Sequence, residues 1–337
     1  MASEPRTHLV IDAMTSAASL ADVVSAALQL HAQGDASVSL VGDVEKLEGA
    51  VRQQGVQLAE VDILDAQTWI QSRQNGARAV KINHDTSMQV AAREARTRES
   101  ALVTFGNGNA VREVVRTHYA PPGRLCPLAG QVHRGTQIHT ILDIGSFVLT
   151  AGSQLANFGI MGSALHRLTT GATSPTVGLV TSETSISHCS EEFKDAHLVL
   201  HERCPSYIGL TDPSDSTSSI PDVLVTTSRS GKLLYDLLGG RVRSAKQEVD
   251  ATSRLRGLFN RSKSPSMLPP NHMSSSVVIG GRGLVVHRAH LSSSADVLTT
   301  FQDALYLTRI KLVDAIRTDL EMAMQFTGRM TREQPRV

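Results

Sequence analysis

Short runs of β-branched and aliphatic residues alternate along this chain with stretches of helical period, and that rhythm admits few folds other than a mostly parallel sheet covered on both faces. HLVIDAM, from His8, reads as a strand. LADVVSAALQLHAQ, from Leu20, reads as an amphipathic helix, and ASVSLVG, from Ala36, as a second strand stopped by Gly42 and Asp43. A helix over 44–54, the run VQLAEVDI, a polar helix over 86–98 and the strand ALVTF continue the pattern. Further on, TVGLVTS, SYIGL and DVLVTTS read as strands, EEFKDAHLVLHER as a helix, SSVVIGGRGLVVH as a strand pair, and 295–325 as one long helix. Residues 120–135 carry Pro121, Pro122 and Pro127 and read as a loop. Residues 65–84 carry no clear period.

Charge and composition remove several function classes. Lys plus Arg total 33 against 32 Asp plus Glu, a formal net charge of +1, so the chain has no global basic field for nucleic acid. Aromatics are 4% of residues, too few for base-stacking platforms. Cys126, Cys189 and Cys204 lack CxxC or metal-ligand spacing, and no secretory apolar core precedes the first strand, so a cytoplasmic setting is expected. No apolar run approaches the ~20 residues of a spanning helix. Peripheral membrane contact stays open.

Polar chemistry is concentrated where strands end. The stretch 138–163 opens as a strand, breaks at Gly145-Ser146 and restarts as a helix near Ala151; that places Asp143, Gly145 and Ser146 at the carboxyl edge of a sheet, where open α/β proteins bind ligands. Gly106-Asn107-Gly108-Asn109-Ala110 follows the strand ALVTF and opens a helix, so its backbone N–H groups can approach an anion. Val111 stands where a dinucleotide fingerprint needs its third glycine, and a phosphate cradle and a plain tight turn both fit. Ser228-Arg229-Ser230-Gly231-Lys232 offers hydroxyls and two cations at a strand end, without the upstream glycine of a P-loop; a cationic anion site and a solvated turn both fit.

The histidines are less specific. His197 and His201 have a spacing that can hold zinc on one helix face, but no HExxH motif surrounds them. His287 and His290 flank Arg288 and Ala289 at a strand end, where an imidazole can serve as acid or base or simply as structure. His188 beside Cys189 is a poor nucleophile pair, because adjacent residues rarely meet in hydrogen-bonding geometry. Residues 241–263 hold seven Lys or Arg against Glu248 and Asp250, interrupted by Leu255, Leu258 and Phe259. That segment reads as a helical excursion, either a solvated face or a contact for an acidic carrier or anionic lipid.

Taken in order, these stretches resemble the PlsX family, soluble enzymes that convert acyl-carrier-protein thioesters to acyl phosphates. The resemblance runs from about His8 to Leu307 and rests on Leu9-Val10-Ile11-Asp12-Ala13-Met14, Ser87-Met88, Gly106-Asn107, Asp143-Ile144-Gly145, Phe158 with Ile160-Met161-Gly162-Ser163, Tyr207-Ile208-Gly209, Asp222-Val223-Leu224-Val225, and Gly280 with Gly283. It departs from the family at strand ends: Thr15-Ser16-Ala17 replace Gly-Gly-Asp after Met14, Phe147 replaces an Asn, and Thr227 to Lys232 replace Asp-Gly-Phe-Thr-Gly-Asn. The family's acidic cluster and its Lys map onto Thr184-Ser185-Ile186 and His188, and its late His-Gly onto Ala289-His290.

The resemblance implies a three-layer α/β/α sandwich forming one domain over 1–337, with a helical projection at 236–270. It also implies a homodimer, an acyl carrier protein as partner, phosphate or another small anionic acceptor, and neither metal nor nicotinamide cofactor. Carried onto this chain, Asn107 and the N–H groups after Gly106 face the oxyanion or phosphate, Arg229 and Lys232 hold the anion, and His290 or His188 manages the proton. Asp12, Gly106, Gly108, Asn109, Asp143, Gly145, Ser146, Ser228, Ser230 and Gly231 complete the expected substrate-binding set. A catalytically silent relative that binds a carrier or partner enzyme is the alternative.

Overall fold

The computed structural model describes residues 7–15, 17–55, 61–71, 73–134, 136–145, 151–214, 219–239, 273–291 and 293–333, the last nine as backbone only. Ser16, Ser146, Phe147 and nearly all of the expected projection, residues 240–272, lie outside them. The strands are β1 (Thr7–Asp12), β2 (Ala36–Gly42), β3 (Asp62–Asp65), β4 (Ala101–Thr104), β5 (Leu128–Arg134), β6 (Gln137–Leu142), β7 (Val177–Val180), β8 (Tyr207–Thr211), β9 (Val223–Val225), β10 (Ser276–Val278) and β11 (Val285–His287). They form a sheet in the order β3-β2-β1-β4-β11-β10-β5-β6-β9-β7-β8.

The helices are α1 (Leu20–Ala32), α2 (Val44–Gln53), α3 (Gly76–Ile82), α4 (Ser87–Thr97), α5 (Gly108–His118), α6 (Gly152–Thr170), α7 (Glu191–Arg203), α8 (Ser228–Leu238), α9 (Ala295–Arg309) and α10 (Leu312–Glu333). Local chemistry sets their starts. Ser19 accepts from the Asp22 N–H at 3.1 Å to cap α1, and Asp43 accepts from the Lys46 N–H at 3.2 Å to cap α2, each satisfying one of the donors a helix start leaves orphaned.

Strand pairing is parallel in both halves of the sheet but antiparallel at its centre, where β11 meets β10, β10 meets β5, and β5 meets β6. The expectation of a mostly parallel α/β sheet holds, and the two parallel halves run in opposite directions, joined through β10 and β5. Three other readings are corrected. The proline-bearing loop contains β5, because the prolines stop at Pro127 and leave Leu128–Arg134 free to pair. The long terminal helix is two helices, broken where Lys311 takes φ 51°. Ser228 to Lys232 form the first turn of α8 rather than a free turn.

Side-chain alternation along the strands divides the core unevenly. On one face, Leu9, Ile11, Val103, Leu142, Val225, Val277 and Val286 belong to one continuous cluster under α1, α6, α7, α9 and α10. On the other, Val10, Leu102, Val278 and Val285 pack with α4 and α5, while Ile141 and Leu224 pack separately with Tyr235 of α8. The short central strands thus lie in a gap between α5 and α8.

Candidate functional site

The gap between α5 and α8 is a cavity of about 670 Å³. It opens beside β1 and β4, where the chain, having run β1 to β2 to β3 in one direction, returns to the other side of β1. Such a reversal leaves a crevice beyond the carboxyl ends of the strands. The floor is apolar: Phe105, Val111, Val115, Leu128, Ile144 and Val278. The mouth carries Asn109, Arg112, Lys232, Asp236, Arg288 and His290. Cys126 also lines it, but burial pushes its thiol up to about 12, so at neutral pH it packs as a small apolar group and not as a nucleophile.

The turn after β4 is held from behind. Asp12 ends β1 opposite Thr104, and its carboxyl group receives the Ser87 hydroxyl at 2.6 Å and the Thr104 hydroxyl at 2.8 Å. The Thr104 oxygen in turn accepts from the Gly106 N–H at 3.1 Å. Burial raises the Asp12 pKa, with the Ser87, Thr104 and Met14 hydrogen bonds opposing it. A side chain on Gly106 would displace the Met88 methyl group and crowd the Thr104 hydroxyl. Asn107 caps α5: its side-chain oxygen accepts from the N–H groups of Asn109 at 2.9 Å and Ala110 at 3.3 Å. Its amide nitrogen reaches the Gln74 carbonyl at 3.4 Å.

Two cations approach from other elements, each with a carboxylate partner. Lys232, on the first turn of α8, pairs with Asp236 one turn later. Arg288, just after β11, meets Asp296 at 2.7 Å, the two side chains only 17% and 18% exposed. Between them, His287 on β11 shares the cleft-facing side of the sheet with Val285, two residues before it. Its Nε2 lies 3.0 Å from the Gly106 carbonyl oxygen. Burial lowers its pKa; the Gly106 carbonyl opposes that and His290 adds to it.

The sequence matches the model of a family described as fatty acid synthesis protein over residues 7–251. The chain belongs to that family. Within it, the phosphate acyltransferase of Caulobacter vibrioides is 27% identical over 234 residues, 65% of this chain and 65% of that one, just under two thirds of its length. The phosphate acyltransferase of Neisseria meningitidis serogroup C is 25% identical over 294 residues, 82% of this chain and 84% of that one. In fold, the chain is similar to a phosphotransacetylase from Streptococcus pyogenes, with TM-score 0.61 and 12% identity over 93% of this chain and 94% of that one. A branched-chain phosphotransacylase from Enterococcus faecalis V583 gives TM-score 0.56 and 12% identity over 89% and 98%.

Against this family background, the fold brings some of the expected residues together and separates others. Gly106, Asn107, Gly108, Asn109, Gly145, Lys232 and His290 all line the one cavity. Asp12 and Asp143 are buried behind it. Asp143 accepts from the Leu128 N–H at 3.0 Å and so ties the start of β5 to the end of β6. Ser228 and Gly231 are buried within α8, while Arg229 and Ser230 point to solvent from that helix and do not line the cavity. His188 is exposed in a 3-10 turn, Ile186–His188, after β7 and away from the cleft. Ser146 lies outside the described residues. His197 is bonded to the Tyr207 hydroxyl at 2.8 Å, and among the described residues no group of three His, Cys, Asp or Glu is placed to hold a metal.

Sequence reasoning missed Arg112, Arg288, Tyr235 and Asp236. Arg288 directly follows His287, which was already singled out, and the period-two pattern Val285, His287 was the available signal that His287 faces the same side as the strand's core residue.

Proposed function

We propose that the chain transfers an acyl group from an acyl-carrier-protein thioester to phosphate. The observation that carries this reading is the division of the cavity into an apolar floor and a cation-bearing mouth closed by the start of α5. An acyl chain is held by the first and an anion by the second, where Arg288, Arg112 and the α5 dipole favour negative charge. The reaction needs no protein nucleophile: phosphate oxygen attacks the thioester carbonyl, and the carrier thiolate leaves. The N–H group of Gly108 and the guanidinium of Arg288 are the groups suited to the oxyanion and phosphate, the Asn109 N–H being engaged by the Asn107 cap. Asn107 serves by holding that turn, since its carboxamide oxygen is engaged in the cap. Family resemblance supplies the carrier protein as partner and a second copy of the chain as subunit.

The pairing of Lys232 with Asp236 favours one other reading. A neutralised cation where the family has a polar Asp-Gly-Phe-Thr-Gly-Asn turn suits a protein that binds a carrier and does not turn over. One assay separates the two. Purified protein is incubated with acyl-carrier protein with and without phosphate, and carrier thiol and hydroxylamine-trapped acyl phosphate are measured. Phosphate-dependent release of both is expected. Thiol release that does not depend on phosphate, or none, overturns the transferase reading.

A further inference from the structure

The imidazole of His287 is 3% exposed and lines the cleft, yet its Nδ1 meets no hydrogen-bonding group among the described residues. Its other nitrogen decides the tautomer. A carbonyl oxygen only accepts, so the 3.0 Å contact with the Gly106 carbonyl places the ring proton on Nε2. Burial keeps the ring neutral. Nδ1 is then a fixed lone pair, already desolvated, beside the turn that opens α5. Ser276, also lining the cleft, donates its hydroxyl to the His287 carbonyl at 2.7 Å and so fixes the residue's backbone.

We infer that His287 is a specificity-determining residue that accepts a hydrogen bond from the hydroxyl of a protonated tetrahedral oxyanion, and so makes the cleft prefer hydrogen phosphate to sulfate. The inference rests on the phosphate-acceptor reading and sharpens it. Every cation at the mouth attracts both ions alike. Only an acceptor tells them apart, because phosphate near neutral pH keeps at least one P–OH and sulfate has none. A lone pair facing sulfate meets an oxygen of like partial charge and stays unsatisfied, an asymmetry worth roughly 10- to 100-fold in affinity.

The test is calorimetric titration of the whole protein with inorganic phosphate and, separately, with sodium sulfate at pH 7. The unsubstituted protein is expected to bind phosphate ~10-fold or more tighter than sulfate. His287→Gln keeps an amide N–H for the Gly106 carbonyl but removes the acceptor, and its ratio is expected to fall towards one. His287→Asn sets a carbonyl oxygen near the Nδ1 position, and its ratio is expected to stay above that of His287→Gln. Equal affinity of the unsubstituted protein for the two ions overturns the inference without any variant, as does an unchanged ratio in a folded His287→Gln. In both cases phosphate still binds and the acceptor reading stands. Failure of the unsubstituted protein to bind phosphate overturns the acceptor reading, and this inference with it.

Discussion

A methyl group placed on Gly231 would collide with the carbonyl oxygen of Asp143. The first turn of α8 therefore rests directly on the end of β6, and that contact delivers Lys232 to within 3.8 Å of where a side chain on Gly145 would begin. Gly231→Ala is expected to destabilise the protein by about 2 kcal/mol, since backbone and not a flexible side chain must yield. Lys232 and Tyr235 should be displaced with the helix. Chemical denaturation and phosphate titration of the variant check both effects.

Asp12 makes stability depend on pH in a direction that can be stated. Its folded pKa is raised by burial above the ordinary carboxylate value of 3.8, so its favourable contribution is complete below that value and is lost as pH rises through the folded pKa. Asp12→Asn carries no such loss. The stability of this variant relative to the unsubstituted protein is therefore expected to increase from pH 4 to pH 8. Thermal unfolding across that range decides it; a flat or falling difference contradicts the assignment.

Arg288 and Asp296 form a largely buried pair at the cavity mouth. Removing the guanidinium takes the paired cation from Asp296, which keeps the Ser293 N–H at 3.1 Å, and removes a positive charge from the cavity mouth. Arg288→Ala is expected to cost about 2 kcal/mol of stability and ~100-fold in acyl transfer. Arg288→Lys should restore most of the stability but less of the rate, because an ammonium cannot present a planar fork. Denaturation midpoints and transfer rates of the two variants provide the check.

Val111 projects from α5 onto the apolar floor. Val111→Phe is expected to fill part of the 670 Å³ cavity and to shift acyl preference towards shorter chains, with roughly a 10-fold loss for the longest acceptable chain and little for a short one. A panel of acyl-carrier thioesters of increasing length measures the shift.

Long periodic segments were legible in the sequence. α1 carries apolar residues at helical spacing, α5 opens at the glycine-bearing turn after β4, and β1 and β2 are short apolar runs ended by Asp12 and Gly42, so their type followed from local chemistry. β5 was not legible, because Pro121, Pro122 and Pro127 outweighed a seven-residue strand whose apolar residues are interrupted by Gln131 and His133. The break at Lys311 was equally hidden, since the residues on either side continue a helical pattern and only backbone geometry shows the stop.

By itself, the order of strand-forming and helix-forming stretches determined that this chain makes an α/β sheet with polar residues gathered at strand ends, because side-chain period and helix capping act between residues near in sequence. The family motifs added which ends to watch. Tertiary structure alone decided which of those residues share a cavity. Lys232 and Gly106 come from opposite-running halves of the sheet, and they line one cavity because the short antiparallel strands β10 and β5 lie between α5 and α8. Whether a polar side chain is buried behind that cavity, as Asp12 and Asp143 are, or faces into it, as His287 does, depends on contacts between residues 15 to 181 positions apart that no local pattern encodes.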